Sequence, residues 1–307
     1  MGRSYATASR NRSLTLPDGR TLGFSENGSP EGFPLLYFHG FPSSRLESTA
    51  LDSTARRLNI RLIGPDRPGY GLSTLKPNRQ ILDYPTEITS LVDYLNLSRF
   101  SVLGGSGGGP YALACAHSLP RERLSGVGLL ASAGPWAAGR QYVSTMRKLM
   151  SLAASNFPNA LRYSAEAAIN ASRWCSTTRT ATRWLDNWLE KQESEEDSVL
   201  STPERREMVL SMTFEAFAQG ADAAVQEAVL LSHDWGFRFE GIAHKVHIWH
   251  GEKDAHSPLE MIRYMAHRLP DCELHGFKGE THFTVASHLE EVLSLLVPEE
   301  WPQWNLH

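Results

Sequence analysis

The sequence predicts an α/β protein whose central sheet is mostly parallel and whose chain carries one long helical insertion. Short apolar runs bounded by glycine or proline, such as PLLYF at 34–38 and FSVLG at 100–104, are typical of strands buried on both faces. Helix-like stretches alternate with these runs, which indicates crossover units and a parallel sheet. The alternation stops near residue 133 and resumes near residue 236, with no strand candidate between them.

The first two strands are expected to form a hairpin. RSLTL at 12–16 and RTLGFSE at 20–26 are joined by Pro17-Asp18-Gly19, which favours a tight turn. The remaining strands are expected at 34–38, 61–64, 100–104, 124–131, 246–251 and 272–277. Helices are expected at 45–58, from Asp83 to about residue 95, and at 107–118, 258–269 and 287–297.

The insertion contains helix-like stretches near 139–154, 159–173, 177–192, 204–219 and 221–232. A helical insertion within a doubly wound sheet is expected to lie as a lid over one edge of that sheet. We therefore divide the chain into a core of residues 1–132 and 236–307 and an all-helical cap, or lid, of residues 133–235.

Composition excludes several classes of protein. The 307 residues are 41% hydrophobic and 21% charged, and the net charge of −4 argues against nucleic-acid binding. No apolar run approaches the ~18 residues that span a bilayer, so we expect no membrane partner. The three cysteines form no C-x-x-C pair and the N-terminus has no apolar core, so we expect a reducing, cytoplasmic location. The expected partner is a small-molecule substrate, and a monomer or homodimer is the default.

The stretch GGSGG at 104–108 is the most informative motif. It satisfies G-x-S-x-G directly between a strand and a helix, where the central Ser106 would be exposed on a sharp turn as a nucleophile. The N–H of Gly107, at the start of the helix, would point towards an oxyanion. A dinucleotide fingerprint also fits at 107–112, but the acidic residue expected about 20 positions later is missing from the end of the next strand.

A serine hydroxyl needs a base that removes its proton and a third group that orients the base. Asp254 follows the strand at 246–251, and His282 follows the strand at 272–277. The order Ser106, Asp254, His282 is the one expected for this arrangement on a parallel sheet. We therefore predict these three catalytic residues, with Glu252 as the fallback acid.

Three further predictions concern the surroundings of the nucleophile. His39-Gly40-Phe41-Pro42 follows the third strand, so the N–H of Phe41 is the expected second oxyanion donor, whereas the DRPGYGLS turn at 66–73 is expected to be architectural. His247 and His250 would point to opposite faces of a strand, so no metal site is expected there. Aromatic residues of the cap suit an apolar or aromatic substrate, and the expected substrate contacts are Trp136, Trp184, Trp188 and Phe217.

With these motifs, the sequence resembles the cap-bearing branch of the α/β-hydrolase superfamily over about 12–132 and 236–297. The motifs HGFP, DRPGYGLS, GGSGG and GEKD and the late His-Phe match the pattern of that family in type and order. The resemblance implies a mainly parallel eight-stranded sheet, a Ser-His-Asp triad, and neither a metal nor an organic cofactor.

The resemblance also narrows the function to a serine hydrolase that cleaves an ester, a lactone or an activated carbon–carbon bond through an acyl-enzyme. Epoxide hydrolases and haloalkane dehalogenases of this fold use an aspartate where Ser106 stands. Proline iminopeptidases begin this turn with the same GGS but usually continue with Trp-Gly, and the acidic cap cluster at 190–197 could bind an amine terminus. A lyase or cofactor-free decarboxylase and a slow-turnover ligand receptor remain open alternatives.

Overall fold

The computed structural model describes residues 9–190, 201–298 and 301. Its centre is one eight-stranded sheet in the order β1-β2-β4-β3-β5-β6-β7-β8. The strands are β1 (Ser9–Thr15), β2 (Thr21–Gly28), β3 (Phe33–Phe38), β4 (Ile60–Pro65), β5 (Phe100–Gly105), β6 (Leu124–Leu130), β7 (Val246–Gly251) and β8 (Cys272–Phe277). The predicted mostly parallel, eight-stranded sheet is confirmed.

The direction of each strand follows from its connection. The turn at 17–19 joins β1 to β2 as an antiparallel hairpin, and β2 also pairs antiparallel with β4. All other neighbours pair in parallel, because helices or longer segments connect them. Every residue of β3 and β5 is buried, as their continuous apolar runs predict for central strands. The carboxyl ends of β3, β5, β6, β7 and β8 therefore lie along one edge of the sheet.

Helices cover both faces of the sheet. The helices of the described residues are α1 (Asp52–Arg57), α2 (Tyr84–Tyr94), α3 (Gly109–Ser118), α4 (Thr145–Asn156), α5 (Pro158–Cys175), α6 (Arg179–Glu190), α7 (Thr202–Ala216), α8 (Asp222–Leu230), α9 (Leu259–Ala266) and α10 (Leu289–Leu295). The buried side chains of α2, α3 and α9 share one apolar cluster with the sheet, and those of α1 and α10 share a second. Apolar burial on both faces is the main stabilising contribution to this three-layer arrangement.

Five of these helices, α4 to α8, lie between β6 and β7, and the described residues of that segment contain no strand. Residues 191–200, with most of the acidic cluster at 190–197, lie outside the described ranges. Within the described ranges, no helix is long and apolar enough to cross a membrane. The division into core and cap at residues 133 and 235 stays a prediction.

Two predicted helices begin differently from the expectation. The helix expected at 45–58 is a 3-10 segment, Arg45–Leu51, followed by the short α1. The buried Arg45 is held there by Asp66, which accepts both its backbone N–H at 2.6 Å and its guanidinium at 3.0 Å. The helix expected at 107–118 begins with a 3-10 turn, Ser106–Gly108, because the chain reverses sharply after β5.

Candidate active site

Ser106 lies on the sharp turn between β5 and α3, with a backbone φ of +48°. A non-glycine residue in the left-handed region is strained, and such strain is common at functional turns. A Cβ on Gly104 would lie 2.5 Å from the carbonyl oxygen of Gly108, and a Cβ on Gly108 would overlap the carbonyl oxygen of Phe38. Glycines thus let α3 start close behind the sheet, and the Ser106 hydroxyl stands at the carboxyl end of β5.

The structure brings His282 and Asp254 to Ser106. Nε2 of His282 lies 3.0 Å from Oγ of Ser106, and Nδ1 of His282 lies 2.7 Å from Oδ2 of Asp254. The other oxygen of Asp254 accepts the backbone N–H groups of His256 at 2.7 Å and Ser257 at 2.9 Å. A carboxylate can only accept, so Nδ1 carries the proton and Nε2 faces the hydroxyl with its lone pair. Glu252, the fallback acid, is exposed.

The surroundings of Asp254 keep it ionised. Burial acts to raise the pKa of its carboxyl, but the hydrogen bond and charge of His282 and the amide of Ser257 outweigh it, so the pKa lies below its usual value. His250 is fully buried, and its Nε2 lies 2.7 Å from the carbonyl oxygen of Ser257. Burial lowers the pKa of His250, so this second imidazole near Asp254 is neutral at pH 7.

The loop after β3 lies beside Ser106. A Cβ on Gly107 would lie 3.2 Å from the backbone nitrogen of Phe41, and a Cβ on Gly40 would lie 3.4 Å from Cβ of Ser106. The Gly40 N–H donates to Glu47 at 2.9 Å, so that donor is occupied by the protein itself. The two predicted oxyanion donors, Phe41 and Gly107, therefore lie on adjacent backbones next to the hydroxyl.

Buried charges hold this loop in place. Arg67, which provides them together with Glu227, belongs to the DRPGYGLS turn, for which the sequence predicts an architectural role. The guanidinium of Arg67 donates to the carbonyl oxygens of His39 and, at 2.9 Å, Gly40. Its Nε lies 3.1 Å from Oε1 of Glu227 on α8, and neither side chain has any exposed surface. Glu227 also accepts from Tyr111 at 2.8 Å. A carboxylate from the helical segment is thus linked through one arginine to the loop that holds Phe41.

Above Ser106 lies a cavity of about 720 Å³, formed between the sheet edge and α4, α6, α7 and α8. Its walls are mainly apolar, as in most small-molecule sites. The predicted contacts Trp136 and Trp188 line it, and the ring of Trp188 packs edge-on against Phe283 at 5.9 Å. Aliphatic side chains complete the walls, among them Leu189 of α6, Val209 of α7 and Leu231 directly after α8.

Two of the expected substrate contacts, Trp184 and Phe217, do not line this cavity. Trp184 is 68% exposed and does not line the cavity, although it stands only one helical turn, about 6 Å, before Trp188 on α6. Phe217 packs instead into a small apolar cluster with Tyr70 and Ala223. The hydrophobic pattern could not show which aromatic residues of the cap face the nucleophile.

The sequence interpretation missed two polar residues of the cavity wall, Arg147 on α4 and His256 after β7. The His256 ring lies 4.9 Å from the His282 ring, measured between centroids. Arg147 donates to the carbonyl oxygen of His256 at 2.7 Å. No motif of the sequence points to a cation in the cap, although Arg147 lies near the start of α4, where the sequence predicts a helix.

His247 and His250 diverge as predicted. His250 points to Ser257 beside the candidate site, whereas Nδ1 of His247 lies 3.4 Å from Nε2 of His275 on β8. With Glu273, these two histidines form a group that is close enough together to hold a metal ion. None of the three residues lines the cavity above Ser106.

Comparison with known proteins identifies the family. The model of the α/β hydrolase fold matches residues 34–289, which is most of the chain. The chain therefore belongs to the α/β hydrolase fold family, and its architecture and relatives are those of an enzyme of the α/β-hydrolase type.

Relatives within the family carry several hydrolase activities. Lipase 1 of Psychrobacter immobilis is 37% identical over 135 residues, which cover 42% of this chain and 40% of the lipase. A proline iminopeptidase of Xanthomonas citri is 31% identical over 140 residues, covering 43% of this chain and 37% of that protein. The chain thus matches less than half the length of these relatives. 2-Hydroxymuconate semialdehyde hydrolase of Pseudomonas putida matches 87% of this chain and 86% of its own length at 25% identity.

Solved structures agree on the fold. A carboxylesterase of the thaumarchaeon Nitrososphaera gargenis superposes with a TM-score of 0.62 at 14% identity, over 93% of this chain and 96% of that one. The esterase EaEST of Exiguobacterium antarcticum gives a TM-score of 0.62 at 17% identity, over 92% and 97% of the two chains. At these identities the likeness concerns the fold alone.

Proposed function

We propose that this protein is a serine hydrolase that cleaves small carboxylic esters through an acyl-enzyme. The observation that carries the proposal is the continuous hydrogen-bonded chain from Asp254 through His282 to the hydroxyl of Ser106, at the floor of an apolar cavity. A hydroxyl that donates to an imidazole, with a buried carboxylate behind it, is the arrangement that acyl transfer requires. The substrate is a small molecule, because the cavity measures about 720 Å³.

In the first half-reaction, Nε2 of His282 removes the Ser106 proton while Oγ attacks the ester carbonyl carbon. The negative charge that forms on the carbonyl oxygen is stabilised by the N–H groups of Phe41 and Gly107. Asp254 stabilises the imidazolium that now exists. His282 then gives its proton to the leaving alkoxide as the ester C–O bond breaks, which leaves an acyl group on Ser106.

In the second half-reaction, water takes the place of the alcohol. His282 accepts a proton from the water, and the resulting hydroxide attacks the acyl carbon. The same two N–H groups stabilise the second tetrahedral intermediate. The bond to Oγ breaks, His282 returns the proton to Ser106, and the carboxylic acid product leaves with the enzyme restored.

A second candidate reaction is hydrolysis of an activated carbon–carbon bond. It is favoured by a relative that matches 87% of this chain, a 2-hydroxymuconate semialdehyde hydrolase. The cavity volume of about 720 Å³ is typical of small-molecule sites, and the two reactions need the same activated serine. Ester hydrolysis is preferred because lipases recur among the sequence relatives, each matched over 42% of this chain.

The test is hydrolysis of p-nitrophenyl butyrate by the protein and by two variants. Ser106→Ala is expected to lose at least ~10⁴-fold in kcat, since removal of a triad nucleophile costs about this much or more. Ser118→Ala, at the exposed end of α3, is the matched control and should keep full activity. Turnover that survives in Ser106→Ala would refute the acyl-enzyme and favour a reaction in which His282 only shuttles protons.

A further inference from the structure

The cavity above Ser106 is lined by one cation, Arg147, that meets no neutralising carboxylate among the residues that the structure describes. Arg147 lines the cavity, and the only hydrogen bond of its guanidinium within the described residues is the one to the carbonyl oxygen of His256, at 2.7 Å. No carboxylate of the described residues lies within ion-pair distance of it, whereas buried Arg45 and Arg67 each meet one, Asp66 and Glu227. Arg147 therefore differs from Arg45 and Arg67 in that no carboxylate of the described residues pairs with it.

A partly buried guanidinium without a counter-charge is costly. Loss of solvent lowers the pKa of Arg147, against a weaker opposite effect of the Asp254 carboxylate. Asp254 is not an ion-pair partner of Arg147: its carboxylate lies beyond ion-pair distance and instead accepts from His282 and two backbone N–H groups. The carboxylate that lines the cavity, Glu47, accepts from Tyr37 and from the Gly40 amide.

The guanidinium is held in a defined place close to the candidate catalytic residues. On one side it contacts the carbonyl of His256, whose ring packs on His282. On another side it lies 5.8 Å from the centroid of the Trp136 ring, at cation–π distance. With Nη1 fixed by the carbonyl, the planar fork still has donors for an incoming carboxylate, which arginine binds with directed hydrogen bonds.

We propose that Arg147 is the specificity-determining residue of this site and that it binds a carboxylate carried by the ester substrate. The inference rests on the proposed hydrolase function and adds the substrate class, namely esters with one anionic end and an otherwise apolar body. The anionic end lies against α4 and the apolar body fills the cavity between Trp136 and Trp188. The carboxylate supplies the missing counter-charge of Arg147.

The experiment compares esters that differ only in one charge. The first pair is the mono-p-nitrophenyl ester of glutaric acid and its methyl-capped diester, with the charge on the acyl side. The second pair is the butyrate ester of 4-hydroxyphenylacetic acid and the same compound as a methyl ester, with the charge on the alcohol side. The protein should prefer the anionic member of at least one pair by about 10- to 100-fold in kcat/KM, as expected for a charged hydrogen bond.

Variants test whether Arg147 is the cause of the preference for anionic esters. Arg147→Gln should abolish the preference, so that the ratio of kcat/KM between the charged and the neutral member of each pair falls to about one, whereas Arg147→Lys should retain part of it. Arg140→Gln is the matched control, because it removes an exposed arginine that lies over the same Trp136 ring but does not line the cavity, and it should keep the full preference. A full preference in Arg140→Gln would exclude the explanation that any loss of positive charge from the protein lowers the preference for anionic esters.

The proposal is overturned if the unaltered protein hydrolyses both members of both pairs equally well, a comparison that needs no variant. It is also overturned if Arg147→Gln lowers kcat/KM of charged and neutral esters by the same factor. Either result would leave the hydrolase function intact, as long as Ser106→Ala is inactive. Loss of the hydrolase function itself would show as no turnover of any of the four esters.

Discussion

Glu227 on α8 offers a test of how the helical segment supports the candidate site. Glu227→Gln keeps the size of the side chain and removes its charge. The carboxylate is fully buried and contacts Arg67 at 3.1 Å, Tyr111 at 2.8 Å, and also Arg79. The substitution would leave the two buried guanidinium groups without their counter-charge and place an amide N–H against one of them.

The magnitude follows from this geometry. Removing one partner of a fully buried ion pair costs about 3–5 kcal/mol, because the remaining charge is no longer compensated. At about 2.1 cal/mol/K per residue, the unfolding entropy of 307 residues is about 0.6 kcal/mol/K, so Tm should fall by roughly 5–8 °C. Arg67 also fixes the carbonyls of His39 and Gly40, so a displaced Phe41 N–H should lower kcat by up to ~10²-fold.

Calorimetry and ester hydrolysis at a temperature well below both Tm values measure the two effects separately. Glu207→Gln, on the exposed side of α7, is the control and should change neither quantity. An unchanged Tm in Glu227→Gln would refute the argument that this carboxylate balances buried charge. A lower Tm with full kcat would show that Arg67 stabilises the fold without positioning the loop.

Three other substitutions test the surroundings of the site. Burial and the charge of Arg67 lower the pKa of His39 well below its usual value, so the stability that neutral His39 contributes is complete above pH 6.5 and declines as the pH falls. The protein should lose up to ~1.4 kcal/mol per pH unit below 6.5 that His39→Gln does not lose, measured by urea unfolding at pH 7.5 and 5.5. Gly108→Ala should destabilise the fold by about 1–3 kcal/mol or prevent folding, whereas Gly241→Ala, with no atom nearer than 3.6 Å to its new Cβ, should have no effect on Tm. Asp254→Asn should lower kcat by about 10⁴-fold with little change in KM, because the amide favours the wrong tautomer of the base; a loss below tenfold would contradict its orienting role.

The placement of Ser106, Asp254 and His282 could be predicted from the sequence for a topological reason. Each residue follows a strand of a parallel sheet, and the carboxyl ends of such strands lie at one edge whatever the details of packing. The eight strands were predictable for a related reason, since short apolar runs with glycine or proline at both ends leave little choice of conformation. Ser106 follows its strand directly, and only a short loop separates Asp254 and His282 from the ends of theirs, so the three side chains come close enough together to form hydrogen bonds.

The cap was predictable only in part. Its helices could be located from their periodicity, but their rotation and tilt against the sheet depend on contacts between residues far apart in the chain. For this reason Trp188 reaches the cavity while Trp184, one turn away, is exposed. The contact of Glu227 with Arg67 has no local signal for the same reason, and neither does the place of Arg147 beside His256.

The most direct test of whether His282 activates Ser106 is covalent labelling by a fluorophosphonate, followed by intact-mass analysis and peptide mapping. One adduct per chain is expected, located on Ser106, and the labelling rate should fall by at least ~10²-fold in His282→Ala because the hydroxyl loses its base. A protein that stays unlabelled, an adduct on a different side chain, or an equal rate without the imidazole would contradict the claim that His282 activates Ser106.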